Sequence, residues 1–158
     1  KRLIEDYNII VRQRPVFSKE RTQAVRYEIQ DNFIRFWFNY FDRHRSLIEI
    51  KNFNGLGNII KNDYPTYSGK MLERYFKQKL AESFQFREIG SYWEPKNEQN
   101  EIDIVALKLE KNEALVAEVK RQKKNFKPGL FASKVKHLKH KALSNYDIET
   151  HFFSLRDM

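Results

Sequence analysis

The spacing of apolar residues divides the chain into a series of short elements. Leu3, Ile4 and Tyr7 fall at helical spacing, so residues 1–7 read as the end of a helix. Residues 8–14 and 24–30 are β-branched and weakly alternating, with Pro15 and a polar turn over 18–22 between them, and read as two strands. Helix end, strand, loop and strand is the order of the last third of a winged helix and equally of a plain β-hairpin; the pattern does not separate the two. Asp31 is placed to cap a helix over 32–45, where Ile34, Trp37, Phe38 and Phe41 form a stripe widened by Phe33, Phe36 and Tyr40. A helix this aromatic is expected to lie mostly buried between packed layers, as core rather than as a platform for stacking bases. Asn52, Asn54, Gly55, Gly57, Asn58 and Pro65 mark the stretch 46–65 as mostly loop and put a domain junction near 45–60.

From Ser68 onward the rhythm is clearer. Ser68 can cap a helix to about Glu82, with Met71, Leu72, Tyr75, Phe76 and Leu80 on one face. A strand-like run over 84–94 contains Gly90, a polar loop follows over 95–100, and residues 101–109 alternate as a strand. A short turn at Lys111-Asn112 joins this to a strand over 114–120. Pro128-Gly129 opens a helix to about Leu143 that turns Phe131, Val135, Leu138 and Ala142 inward, and residues 148–155 close as a strand. The order is α-β-β-β-α-β, a mixed sheet with flanking helices in an α/β (α+β) domain.

Composition narrows the classes. Of 158 residues, 15% are aromatic, enough for a packed core and against wholesale disorder. With 32% charged residues, no run approaches the length of a membrane span. The absence of cysteine excludes disulfides, thiolate metal sites and a cysteine nucleophile, and fits a cytoplasmic protein. The opening Lys1-Arg2-Leu3-Ile4-Glu5 has neither an initiator Met nor the apolar core of a secretory signal, which reads as a piece of a longer protein. No GxxxxGK[ST] is present, so this stretch holds no nucleotide site of that kind. His44, His137, His140 and His151 lack the partners of a zinc site.

Charge is where the picture changes. The chain carries 30 Lys+Arg against 21 Asp+Glu, a net +9. Lys120, Arg121, Lys123, Lys124, Lys127, Lys134, Lys136, Lys139 and Lys141 are nine cations with no acid between Glu118 and Asp147. Subtracting these nine leaves 21 bases against 21 acids, so the whole excess lies between Lys120 and Lys141. A localised basic face is the footprint expected for a polyanion, here DNA held through its phosphates without sequence preference; a solvated helix face gives the same pattern.

Two of the expected strands also hold carboxylates among apolar neighbours. In EIDIVAL (101–107), strand alternation puts Glu101, Asp103 and Val105 on one face, and in ALVAEVK (114–120) it pairs Glu118 with Lys120. Charges inside a buried strand are costly unless paired or bound to metal. If these strands form a hairpin, Asp103 and Glu118 come within reach of one divalent cation. Mg²⁺ (or Mn²⁺) takes one or two carboxylates, carbonyls such as that of Val119, water and phosphate. Lys120 then stands ready to position water and to stabilise charge on a phosphoryl oxygen. A pair of cross-strand salt bridges at a sheet edge gives the same residues.

Taken with the element order, the acidic Glu73 in the first helix, Asp103 on the second strand and Glu118-x-Lys120 on the third resemble the PD-(D/E)XK nuclease superfamily, which has a restriction-endonuclease-like fold. Ile102 replaces the proline that often precedes the Asp, and Glu73 with Lys77 at i, i+4 also suits a surface ion pair. A resemblance covering nearly the whole chain rests on AVRYEIQDNFIRFWFNYF, GSYWEP, EIDIVAL and ALVAEVK. These are similar to the C-terminal region of archaeal and bacterial AAA-like (STAND-type) ATPases. There a P-loop domain precedes a winged helix and then a nuclease-like domain of unknown function. The matching run after the wing is Tyr27, Ile29, Asp31, Phe33, Phe36 and Trp37.

The resemblance implies three parts: residues 1–30 as the end of a winged helix, 31–60 as an aromatic helix and connector, and 61–158 as the nuclease-like domain. It implies Glu73, Asp103, Glu118 and Lys120 as catalytic residues, with Asp103, Glu118 and Val119 at Mg²⁺ or Mn²⁺. DNA contacts would come from Lys123, Lys124, Lys127, Lys134, Lys136, Lys139 and Lys141. The partners expected are DNA and an N-terminal ATPase domain of the same chain, with no membrane and with room for an oligomer. The alternative function is a catalytically idle DNA- or protein-binding module that regulates the same ATPase.

Overall fold

The computed structural model describes residues 2–19, 21–95 and 97–158, and only the backbone of Asn97 and Glu98. Lys1, Glu20 and Lys96, which fall in the expected helix 1–7, turn 18–22 and loop 95–100, lie outside the described residues. Residues 1–13 and 25–67 make one unit, and residues 14–24 and 68–158 make a second.

In the first unit a short helix α1 (Arg2–Glu5) precedes an antiparallel pair, β1 (Ile10–Gln13) and β2 (Arg26–Ile29), with Ile10 opposite Ile29. Helix α2 (Asn32–Phe36) starts where expected, because the Asp31 carboxylate accepts the Ile34 N–H at 2.8 Å. It does not run regularly to residue 45. It widens into a π-helical turn at Trp37–Asp42, where the Arg43 N–H reaches back to the Phe38 carbonyl, and resumes as α3 (Arg45–Glu49). Tyr40 is almost fully buried, and its hydroxyl donates to Asp63 at 2.6 Å. The rings of Phe36 and Tyr67 flank it at 4.8 and 5.7 Å.

The expectation that the aromatic helix is mostly buried does not hold. Phe33, Trp37 and Phe38 are 71%, 47% and 50% exposed. A helix that is aromatic nearly all round has only one face to bury in this unit, and Tyr40 takes it. The stretch 46–65 is likewise helix rather than loop: α4 spans Phe53–Glu82, well before the expected start at Ser68. The misleading signal has a physical explanation. Asn52 is the cap of this helix, its side-chain oxygen accepting the Gly55 N–H at 2.9 Å, so residues that usually mark loops here mark a helix start. Pro65 removes one donor from the helical ladder. The aromatic contacts of Tyr67 and the Tyr40–Asp63 bond hold the turns on either side of it.

The second unit is a four-stranded sheet between two helices. The strands β3 (Phe86–Glu94), β4 (Asn97–Lys108), β5 (Glu113–Val119) and β6 (Asp147–Phe153) lie in that order, antiparallel except for the parallel pair β5–β6. The polar stretch 95–100 is therefore shorter as a loop than its composition suggested, since β4 begins at Asn97. Helix α5 (Pro128–Lys141) forms the crossover that a parallel pair requires. The α-β-β-β-α-β order is thus present in a mixed α/β fold.

One face of the sheet buries Ile102, Val105, Leu107 and Val116 against Phe131, Leu138 and Leu143 of the α5 region. The other buries Ile104, Ala106, Leu115, Ala117 and Val119 against Leu72 and Phe76 of α4. Segment 14–24 joins the first face: Val16 is buried there, and its N–H bonds the Ser91 carbonyl. Gly90 makes room for it, since a Cβ at that position would stand 2.7 Å from a Val16 methyl.

A carboxylate fixes the C-terminal end of α5 to β3. Glu94 accepts from Lys141 at 2.6 Å, from the Tyr92 hydroxyl at 2.6 Å and from Asn100 at 3.3 Å, and His137 lies 2.9 Å away. The Lys141 and Tyr92 bonds outweigh the cost of burial and hold its pKa down to about 2, from an ordinary 4.5. A depressed carboxylate stabilises the fold above its unfolded pKa, and that contribution is lost as pH falls from about 4.5 toward 2. Glu94→Gln should therefore lower stability by about 1–3 kcal/mol at neutral pH. It should also flatten the acid limb of the stability profile. Urea unfolding of both proteins across that range checks this; an unchanged acid limb would contradict it.

Candidate functional site

A bulge in β4 carries the first carboxylate. Gly90 pairs with Val105 and Tyr92 with Ile102, so Asp103 and Ile104 together oppose Ser91 alone. Such a bulge bends the strand and re-aims a side chain. The Ser91 hydroxyl donates to the Asp103 backbone carbonyl at 2.9 Å and accepts from the Lys77 ammonium at 2.5 Å. Strict alternation from Glu101 through Asp103 to Val105 is broken here. Ile102 and Val105, an odd step apart, face the same core, while Ile104 and Ala106 face the other.

At the other end of the hairpin β5 stops at Val119, and the two strands' charges meet. Asp103 Oδ2 accepts the Val119 N–H at 2.8 Å and Lys120 Nζ at 3.1 Å. The same ammonium lies 2.8 Å from Glu118 Oε1, and the second Glu118 oxygen lies 3.4 Å from Lys134 Nζ on α5. Glu118 is 7% exposed and is one of the few charged groups so deeply placed. Asp103, Lys120, Glu118 and Lys134 thus form a row of alternating charge, which is what lets two carboxylates stay in a largely dry site. Burial works against the Lys120 ammonium, but Asp103 and Glu118 overcome it and hold its pKa above the ordinary lysine value. The Val119 N–H is the group placed at Asp103, and the Val119 side chain packs in the core beside Leu72 and Phe76.

Glu73 approaches from α4. Its pKa is pushed up to about 7, first by burial and then by the Asp103 charge, with Lys77 and Lys120 pulling the other way. Lys77 donates to Ser91. Glu73 is therefore a carboxylate held where its charged form is disfavoured, beside the same Asp103 and Lys120.

The donor set suits a hard divalent cation. Two carboxylate oxygens converge on one ammonium, which marks a cation-binding point between Asp103 and Glu118. Among the described residues no cluster of three or more His, Cys, Asp or Glu stands at metal-binding spacing. Two carboxylates are nevertheless the usual protein share at Mg²⁺, where water and phosphate complete the shell.

The basic segment divides in two. Lys134 and Lys141 are engaged, with Glu118 and Glu94 respectively. Lys123, Lys124, Lys127, Lys136 and Lys139 are exposed. The sequence groups Lys134 with the DNA-contacting lysines, whereas the structure turns it inward to Glu118. Its spacing from the buried Phe131 and Leu138 (i, i+3 and i, i+4) was the available sign that it turns inward. No helix among the described residues is long and apolar enough to cross a membrane.

Comparison with known proteins adds context. The DUF234 family, archaeal and bacterial proteins of unknown function, matches residues 37–137, a span containing Glu73, Asp103, Glu118, Lys120 and Lys134. The chain is 37% identical over 129 residues to an uncharacterized protein of Methanocaldococcus jannaschii, across 76% of this chain and 28% of that protein. It therefore spans a little over a quarter of the length of the curated relative it matches. No solved structure matches at a significant level.

Proposed function

We propose that this chain, which belongs to the DUF234 family of archaeal and bacterial proteins of unknown function, is a nuclease-like, DNA-associated domain that cleaves phosphodiesters with Mg²⁺ or Mn²⁺. The observation that carries this reading is the convergence of Asp103, Glu118 and Lys120 at the bulged end of a buried hairpin, with Glu73 held uncomfortably beside them. Perturbed, partly buried charges brought together in this way mark functional sites. Their residue types and element order resemble those of the PD-(D/E)XK nucleases, with Ile102 where a proline often stands.

In this reading Asp103 and Glu118 hold the cation, which when bound supplies positive charge to the phosphoryl oxygens and acidifies water. Lys120, no longer shared between the carboxylates, orients the attacking water and neutralises charge developing on phosphorus-bound oxygen. Glu73 takes up or releases a proton near neutral pH. Lys123, Lys124, Lys127, Lys136 and Lys139 rest on the DNA backbone, giving affinity without sequence preference. By the resemblance, the full-length protein joins this domain to a P-loop ATPase through a winged helix.

Duplex binding should weaken steeply with salt, log K falling by roughly 0.9 per phosphate neutralised for each log unit of salt. Fluorescence anisotropy with a labelled duplex reads this, and a salt-independent affinity would refute the electrostatic account. The activity test is nicking of supercoiled plasmid by the chain, and by the full-length protein with ATP, in Mg²⁺ or Mn²⁺. Wild type should nick and Asp103→Asn should not. No cleavage by either form removes the enzyme reading. What then stands is an idle binding module regulating the ATPase, a reading favoured by the ammonium groups that already neutralise both carboxylates.

A further inference from the structure

The row of charges contains one member to which the cleavage chemistry gives no role, although the sequence groups it with the DNA-contacting lysines. Lys134 stands on α5, outside the hairpin that carries Asp103, Glu118 and Lys120, yet its ammonium is 3.4 Å from Glu118 and its side chain is 13% exposed. Helix α5 also presents Lys136 and Lys139 to solvent, on the segment assigned to the DNA backbone. The inner side of a single helix thus touches a candidate metal ligand at its middle, while its outer face offers cations to phosphate.

The local charge balance gives this contact a consequence. Asp103 and Glu118 bring two negative charges and Lys120 and Lys134 two positive ones, so the row itself is balanced, with Glu73 and Lys77 a further opposite pair beside it. A divalent cation arriving alone meets a site without net attraction, and must displace both ammonium groups from carboxylates that already have good partners. A phosphodiester arriving at the same place offers those ammonium groups another anion. The geometry points to Lys134 as a positioning residue that holds Glu118 while the site is empty of metal and transfers to a phosphate oxygen of the bound nucleic acid, so that metal and phosphodiester favour each other's binding. No covalent bond changes in this exchange: the three ammonium–carboxylate contacts of Lys120 and Lys134 give way to ammonium–phosphate contacts, and the two carboxylates pass to the cation.

The inference rests on the nuclease reading of the site, and the test separates the two. Calorimetric titration of the full chain with Mn²⁺, without DNA, compares wild type, Lys134→Met and Lys134→Arg. Lys134→Met should bind Mn²⁺ about tenfold more tightly, because Glu118 has lost a competing cation, while Lys134→Arg stays near wild type. A labelled duplex titrated with and without Ca²⁺ then reads the reciprocal effect. Ca²⁺ should tighten duplex binding several-fold in wild type and much less in Lys134→Met. Equal Mn²⁺ affinity in wild type and Lys134→Met overturns the role of Lys134 and leaves the nuclease reading intact. Absence of Mn²⁺ binding in all three proteins overturns both. Far-UV circular dichroism with a thermal melt confirms that each variant is folded, and Lys134→Arg guards against a purely steric effect.

Discussion

Lys120→Met is expected to abolish metal-dependent cleavage, by on the order of 10²–10³-fold, while leaving the metal site able to bind. The reason lies in the two jobs of one ammonium. With no metal present, Lys120 Nζ neutralises Asp103 at 3.1 Å and Glu118 at 2.8 Å. Removing it leaves two carboxylates facing each other with Lys134 still on Glu118, and half-buried like charges repel. Stability should therefore fall by about 1–3 kcal/mol, less than for a fully buried pair because the Lys120 side chain is 33% exposed.

A divalent cation replaces the lost charge, so Mn²⁺ should restore the melting temperature of the variant more than it raises that of wild type. The turnover it cannot restore, since the group that acted on the phosphoryl oxygens is gone. Differential scanning fluorimetry with and without Mn²⁺, beside the plasmid assay, separates these effects. Cleavage retained within threefold of wild type would remove Lys120 from the chemistry.

Glu73→Gln should move stability and activity in opposite directions. The Glu73 carboxyl titrates near 7 in the folded protein against an ordinary 4.5, chiefly because it is buried and faces Asp103. For an acid shifted upward, the folded state keeps a proton that the unfolded state has lost, so stability declines as pH rises from about 4.5 to 7 and stays low above it. Glutamine carries no charge to desolvate. Above neutral pH the variant should be more stable than wild type by roughly 2 kcal/mol, at 1.36 kcal/mol per unit and after allowing for partial contact with water. Cleavage should fall at least tenfold. Stability kept low by a residue the activity needs is the expected trade at a functional site. Guanidinium unfolding at mildly alkaline pH, compared with the same measurement below pH 5, reads the stability half. A variant no more stable than wild type would show that Glu73 carries no such penalty.

The second unit was largely legible because its signals are local and agree with one another. Period-two strands, the Lys111-Asn112 turn, and Pro128-Gly129 before a helix all point the same way, and β3 to β6 with α5 appear close to the expected positions. Asp103, Glu118 and Lys120 stand out in the sequence as charges on apolar strands, whereas Glu73, on α4, is pointed to only by the resemblance. The first unit was less legible. There Asn52 caps a helix that composition read as loop, Pro65 sits inside it, and the π-helical turn moves Tyr40 to the inner face while Trp37 stays outside. Those outcomes depend on tertiary partners, Asp63 and Tyr67, that no local window contains. The same holds at the site. Ser91, whose hydroxyl bonds the Asp103 carbonyl at the bulge, carries no mark in its own segment, and the spacing of Lys134 from Phe131 and Leu138 shows that it turns inward but not that it meets Glu118.

The central claim is that Asp103 and Glu118 share one divalent cation. Anomalous diffraction from crystals of the protein grown with Mn²⁺ and a short duplex tests it most directly. An anomalous peak is expected about 2.1–2.2 Å from an oxygen of each carboxylate, with Lys120 and Lys134 turned toward phosphate. A duplex bound with no peak between these carboxylates, and Lys120 still bridging them, would contradict it.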